Sequence, residues 1–376
     1  MSRDYQICSR CIMDTTDPDI TFDNDGVCSH CLRYDIELPK RMYHGAEAER
    51  RLAAIVAEMR RAGRGKPYDC IIGVSGGIDS TYVAYLTNQL GLRPLAVHFD
   101  NGWNSEVTVS NISKTLDKLG IDLVTYVMDW EEFRSLQIAF LRASTPDGEI
   151  PTDHAINALL FHEAARREIR YIVSGMNFAT ESSSIPAWAY GHMDWRYIRA
   201  VNRQFGTSKL KSYPHLTLAR LAWYSLGRRI KVIAILNYVD YNKAEAMRTL
   251  QNDLSWQYYG GKHYESIYTR FYQGYVLPTK FRIDKRIAHI SALINSGQTD
   301  RVTGLAEMTT HSYIDDGLAE SDRSYVEKKL GMRRDEFDQI LAAPQRSFRD
   351  YPNSFAFISR LKNAVNGLRK RGLLAR

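Results

Sequence analysis

A chain of 376 residues, 44% apolar and 25% charged, is long enough for two or three units with buried cores, and the absence of low-complexity tracts excludes a largely disordered protein. Fifty Lys and Arg against 43 Asp and Glu leave a formal charge of +7, which favours anionic partners such as nucleotides, acidic sugars or RNA without demanding RNA. The longest greasy stretch, Leu216 to Tyr238, is broken by Arg220, Arg228, Arg229 and Lys231, so no transmembrane helix is expected.

The opening Met1-Ser2-Arg3-Asp4-Tyr5 has no charged-then-apolar signal architecture, and the expected location is cytoplasmic. Four of the five cysteines follow at once. Cys8-x-x-Cys11 and Cys28-x-x-Cys31 have 16 residues between them, a spacing that reads as a zinc site. In a reducing compartment two disulfides would not persist. Four thiolates fill a tetrahedral zinc sphere and leave no position for water, so the metal would be structural. Turn-formers at Thr15 to Asp19 and Asp23 to Gly26 suit two opposed knuckles, and residues 1–45 form this module.

Residues 46–67 read as a helix, Ala46 to Ala62, with Leu52, Ile55, Val56 and Met59 on one side, closed by the breakers Gly63 to Pro67. From Tyr68 strands and helices alternate. Strands are expected at Cys70–Val74, Pro94–Phe99, Asp122–Tyr126 and Tyr171–Ser174, and helices at Ser80–Leu90, Glu106–Leu119, Glu131–Arg142 and Thr152–Arg167. That pattern predicts an α/β unit over 68–205, a parallel sheet with helices on both faces, followed by a mainly helical region over 206–376. The fifth cysteine, Cys70, lies in the first strand and reads as a small buried hydrophobe. The basic last stretch, Ser359 to Arg376, reads as a terminal helix with a solvated cationic face.

Three of these strands run into polar or glycine-rich sequence: Ser75-Gly76-Gly77, Asp100-Asn101-Gly102 and Gly175-Met176-Asn177. Ligands to parallel sheets sit beyond the carboxyl ends, so the three ends predict one pocket. After Val74 the chain must turn sharply into a helix. Gly76-Gly77 permits that turn and leaves N–H groups converging on a volume suited to an anion. Ser75, Ser80 and Thr81 add hydroxyls, and Asp79 would repel phosphate unless it meets a cation, so it is read as a magnesium contact. The spacing and lysine of a Walker A loop are missing, as is a dinucleotide fingerprint.

Val74-Ser75-Gly76-Gly77-Ile78-Asp79-Ser80-Thr81 resembles the PP-loop of the ATP pyrophosphatases, the adenine nucleotide alpha hydrolase-like fold. The resemblance implies that the loop holds pyrophosphate while ATP gives AMP to a substrate oxygen. It also implies an adenosine pocket at Phe99, Asp100 and Asn101, with Gly175 and Asn177 at the third strand end. More widely, Cys8 to Thr16, Val97 to Trp103, Lys262 to Ser266 and Leu277 to Arg286 are together similar to the N-acetyl sugar amidotransferases of the WbpG type.

That resemblance implies conversion of an acetamido group on a bacterial surface-polysaccharide sugar, such as a lipopolysaccharide O-antigen precursor carried as a sugar nucleotide or sugar acid, to an acetamidino group. The cations Lys262, Lys280, Lys285 and Arg286 are expected near the phosphoryl and sugar charges, His263 as a proton shuttle, and Glu265 and Glu181 as polar contacts to sugar or ammonia. Ser2 after the initiator Met offers no N-terminal cysteine nucleophile, and the resemblance implies separate glutaminase and cyclase-like subunits that supply the ammonia. No nucleic-acid partner is expected, and a homo-oligomer is left open. The alternative is a tRNA-thiolating PP-loop enzyme, which would need cysteines near the core beyond the four spent at the N-terminus.

Overall fold

The structure, a computed structural model, describes residues 4–261, 264–313 and 316–370. The chain enters through α1 (Ser29–Arg41) and α2 (Gly45–Ala62), then alternates β1 (Cys70–Gly73), α3 (Ile78–Gln89), β2 (Pro94–Asp100), α4 (Glu106–Leu119) and β3 (Leu123–Val127). Helices α5 (Trp130–Ala143) and α6 (Ile150–Arg166) lead to β4 (Tyr171–Ser174). Short α7 (Phe178–Glu181), α8 (Trp195–Phe205) and α9 (Leu218–Ala222) precede β5 (Lys231–Ala234). The remainder is helical: α10 (Lys243–Leu254), α11 (Ile267–Phe271), α12 (Arg286–Asn295), α13 (Arg301–Met308), α14 (Asp316–Leu330), α15 (Arg334–Ala342) and α16 (Phe355–Lys370).

All strand pairs are parallel, in the order β3-β2-β1-β4-β5. Successive side chains point to opposite faces, so alternation sorts the core into two layers. Ile71, Leu95, Val97, Phe99 and Ile172 pack with α5, α6 and α8 on one side. Cys70, Ile72, Ala96, Tyr171 and Val173 pack with α2, α3, α4 and α10 on the other. The expected parallel α/β fold with both faces covered, and a helical region after it, is what forms. Truncating Ile71 or Ile72, both fully buried, to Ala would cost about 2–5 kcal/mol by the usual behaviour of such sites.

The strand order places the site. From β1 the chain moves outward to β2 and β3, then returns to build β4 and β5 on the opposite side. The connections therefore diverge between β1 and β4, and a crevice opens beyond their carboxyl ends. Strand β5 was not legible in the sequence. It is only four residues long, Lys231 and Val232 are exposed at the sheet edge, and its apolar residues merge into a greasy run that carries no alternation.

Candidate active site

The turn after β1 is built to be rigid. Gly76 has φ +77°, and a Cβ there would lie 2.7 Å from Thr108 Cγ2 and 3.0 Å from the Thr108 carbonyl oxygen, so only glycine fits. The Trp256 indole N–H donates to the Gly76 carbonyl at 3.0 Å. Below the turn, His98 Nδ1 donates to the Val74 carbonyl at 2.8 Å, which leaves Nε2 to accept from Asn104 Nδ2 at 3.0 Å. Ser75 and Ser80 tie the two ends together, with Oγ atoms 3.1 Å apart and the Ser75 N–H donating to Ser80 Oγ at 3.2 Å. The head of α3, Ile78, Asp79 and Ser80, lines the crevice, with the Tyr259 hydroxyl against the Ile78 backbone. Across it, Gly175 lets β4 approach: a Cβ there would come within 3.1 Å of the Asp79 carbonyl carbon.

Ser75, Gly77, Asp79, Ser80 and Gly175 line a cavity of about 490 Å3, together with Glu181, Tyr259, Glu265, Asn242, Lys243 and Gln298. Glu265 is held against the turn because its carbonyl accepts from the Ser105 N–H and Thr108 Oγ1, both at 3.0 Å. Asp79 accepts from the Tyr241 hydroxyl, whose pKa burial and the Asp79 charge raise well above the ordinary phenol range. The phenol stays protonated and fixes the carboxylate. Asp79 and Glu181 both line this cavity, and carboxylate oxygens are the donors magnesium takes.

A second cavity, about 820 Å3, shares Glu181 and Gly261 with the first. Arg270, Gln273, Lys285, Arg286, His289 and Tyr264 face it. Arg286 is anchored bidentately on Asp284 and donates to the Thr310 carbonyl at 3.0 Å. Lys285 lies 3.6 Å from Glu149, to which Gln273 Nε2 also donates at 2.6 Å. Burial works against the Lys285 ammonium, but Asp147, Glu149 and Asp153 outweigh it and its pKa is raised.

The same cluster perturbs one of its acids. Burial, only partly offset by Lys285, pushes Asp147 up to about 6. For an acid raised on folding, the native state holds the proton that the unfolded chain has lost, so stability falls as pH rises from the unfolded to the folded pKa. The 94%-buried Asp147 therefore costs stability between about pH 4 and pH 6. Asp147→Asn should gain about 2–3 kcal/mol on the wild type over that interval, read from urea unfolding at each pH.

Other residues expected at the site are placed elsewhere. Phe99 is buried among Tyr126 and Phe133. Asn101 is buried, bonding Thr152 Oγ1 at 3.1 Å and the Trp103 N–H at 3.1 Å, and Asp100 caps its own turn through the Gly102 N–H at 2.8 Å. Thr81 is buried in α3, and Asn177 caps α7 through the Thr180 N–H at 2.8 Å. Neither cavity wall includes them. Lys262 and His263 lie outside the described residues.

Lys280 departs furthest from expectation. Its ammonium is buried at the end of α15, donating to the carbonyls of Ile340, Leu341 (3.4 Å) and Ala343 (2.9 Å), and it reaches neither cavity. A cation at a helix C-terminus satisfies orphan carbonyls, which explains the placement. Lys280→Met should cost about 2–4 kcal/mol in unfolding free energy while leaving the KM for ATP unchanged.

The four N-terminal cysteines converge. Their Sγ atoms lie within 4.8 Å of one another, all buried, with Cys8 to Cys31 at 3.9 Å and Cys11 to Cys28 at 3.7 Å. A tetrahedron with metal–sulfur bonds of about 2.3 Å has edges of about 3.8 Å, whereas a disulfide would need about 2.05 Å. Amides of Arg10, Cys11 and Met13 point at Cys8 or Cys11 sulfur, at 3.3 to 3.4 Å, as suits thiolates. The donor set fits zinc. The knuckle rests on the C-terminal helices: the Ile12 N–H donates to Ser291 Oγ at 3.3 Å, and the Arg301 guanidinium donates to the Cys8 and Cys11 carbonyls at 3.0 Å each.

Sequence reading missed Tyr241, Trp256, Tyr259, Arg270 and Gln273. The string Trp256-Gln257-Tyr258-Tyr259-Gly260-Gly261 was the available signal, aromatics running into a glycine pair just before the Lys262 to Ser266 motif.

Residues 265–362, about a quarter of the chain, match the family described as LPS biosynthesis protein WbpG-like, C-terminal domain. No curated protein matches the chain in sequence. Among solved structures it is similar to the NH3-dependent NAD synthetase of Campylobacter jejuni subsp. jejuni, at 14% identity and TM-score 0.29, over 56% of this chain and 85% of that one. It is likewise similar to the NMN synthetase of Francisella tularensis, at 16% identity and TM-score 0.28, over 53% and 76%. A predicted subunit of tRNA methyltransferase from Methanocaldococcus jannaschii aligns at 15% identity and TM-score 0.29, over 49% and 75%. At such scores these likenesses decide nothing about activity, and the fold reading rests on the sheet order itself.

Proposed function

We propose that this chain is an AMP-forming, ATP-dependent carbon–nitrogen ligase that turns an acetamido group of a bacterial surface-polysaccharide sugar into an acetamidino group. The observation that carries the reading is the pair of cavities joined at Glu181 and Gly261. One is walled by the Ser75–Ser80 turn, and the other draws Arg270, Lys285 and Arg286 from the segment that matches the WbpG-like family.

An amide oxygen is a poor leaving group. In this reading it attacks the α-phosphorus of ATP and pyrophosphate departs, which leaves an O-adenylyl imidate. Ammonia then adds at the imidate carbon, AMP leaves, and loss of a proton gives the amidine. The turn amides, with Ser75 and Ser80, hold the departing pyrophosphate, and Asp79, fixed by Tyr241, keeps a carboxylate beside it. Magnesium, when bound at Asp79 and Glu181, supplies charge neutralisation of the phosphates. Arg286 and Lys285 orient the anionic end of a sugar nucleotide or sugar acid, so that binding geometry rather than covalent catalysis carries the rate. Ammonia comes from separate glutaminase and cyclase-like subunits, and the protein works in the cytoplasm.

A thiolation reading has less support. Cys70 is fully buried with its thiol pKa pushed up by burial, and the other four cysteines are gathered in the knuckle, so no cysteine faces either cavity. The test incubates the protein with ATP, magnesium, an ammonium salt and a panel of acetamido sugar nucleotides and sugar acids. AMP, pyrophosphate and replacement of one oxygen by NH are expected in equal amounts. Release of ADP and orthophosphate, or turnover on glutamine by this chain alone, would overturn the reading.

A further inference from the structure

From residue 195 to residue 239 the chain contains no Asp or Glu and nine Lys or Arg. That exceeds the formal charge of +7 for the whole chain, so the remaining residues are net negative. All nine side chains are exposed, and among the described residues only Lys231 of these has a carboxylate in ion-pair range, Glu58 at 3.6 Å. Helix α8 shows how they are held outward. Tyr197, Ile198 and Val201 are buried, with the helix packed against α5, while Arg196, Arg199 and Arg203 stand on the exposed side.

Two large apolar side chains stand among these cations. Trp223 is 60% exposed and Leu226 is 79% exposed, both on the helical turn after α9. Arg220, Arg228 and Arg229 flank them, all exposed. This turn leads into the first residue of β5, so it lies at the amino ends of the strands, opposite the edge where both cavities open. An exposed Trp and Leu ringed by unpaired Arg is the composition of a surface that sits at a lipid headgroup layer.

We propose that the exposed turn at 220–231, at the amino ends of the strands, docks peripherally on an anionic lipid bilayer, with Trp223 and Leu226 at headgroup level and Arg220, Arg228 and Arg229 over the lipid charge. A bilayer fits better than a nucleic acid because the most exposed apolar side chain is aliphatic. Leu226 gains from hydrocarbon and has no ring on which a base can stack. The orientation leaves both cavities open to the aqueous side, and the inference is independent of what those cavities bind.

The test sediments the full chain with phosphatidylcholine vesicles and with vesicles that also contain phosphatidylglycerol, at low and high salt, alongside a single-stranded RNA shift assay. Binding to the anionic vesicles is expected to be at least tenfold tighter than to neutral ones and to weaken with salt. Each cation near the surface is worth about fivefold, so R228Q/R229Q should weaken it about 25-fold. W223S/L226S should remove most of the binding that survives high salt, with an unchanged circular dichroism spectrum. Equal affinity for neutral and anionic vesicles, no binding to either, or tighter binding to RNA would each overturn the proposal, and the wild-type arms decide this whether or not the variants fold.

Discussion

Stripping zinc with a chelator, or replacing Cys11 by Ser, is expected to lower kcat/KM by more than 100-fold without altering any residue of either cavity. The knuckle has little core of its own, and sites of this type draw about 10–16 kcal/mol of apparent folding energy from the metal. Without it the carbonyls of Cys8 and Cys11 no longer meet Arg301, and the Ile12 amide no longer meets Ser291. Ser291 sits on α12, the helix that brings Arg286 and His289 to the larger cavity and Leu293 to the smaller one. Displacement of about 1 Å in such positioning groups costs on the order of 100-fold in rate. Limited proteolysis should cut within residues 1–45 before the sheet is touched. A metal-free protein with full turnover would show that the knuckle serves something other than the site.

Gly76→Ala should be nearly as damaging, for a local reason. Alanine at φ +77° carries a left-handed penalty of about 1–2 kcal/mol, and its Cβ would collide with the Thr108 methyl and carbonyl. The turn must then shift, taking with it the Ser75 and Ser80 hydroxyls and the amides at the head of α3. The expected result is a loss of about 100- to 1000-fold in pyrophosphate release with a raised KM for ATP. Adding Thr108→Ser removes the methyl but not the carbonyl, so the double variant should recover only part of the activity. Wild-type kinetics in Gly76→Ala would place the triphosphate elsewhere.

What the sequence disclosed depended on the range of the interaction. The turn and the cysteine pairs are local: a few neighbouring residue types at fixed spacing state the geometry, and Ser75, Gly77, Asp79, Ser80 and Gly175 do share a wall. Strands β1, β2 and β4 are mostly buried runs that turn signals bracket, and β3 alternates exposed and half-buried residues between the same kind of signals. Strand β5 is legible only as a partner of β4, since pairing and not composition makes it a strand. Lys280 and Lys285 look alike in sequence, five residues apart in one basic motif. A helix end 60 residues later claims the first, and acids more than 130 residues earlier surround the second. Charge in a motif says nothing of direction; the partner across the fold decides it.

The smaller cavity takes its walls from residues 75–80, 175–181, 242–247, 258–261, 265 and 293–298. During synthesis the thiols that close the knuckle emerge first, yet the surface on which it rests, Ser291 and Arg301, emerges some 280 to 290 residues later. The cysteines and the whole sheet, complete at β5, thus precede the helices on which the knuckle rests. Competence of the site therefore arrives late, when residues 293–298 and Arg301 join a sheet that is already closed at β5.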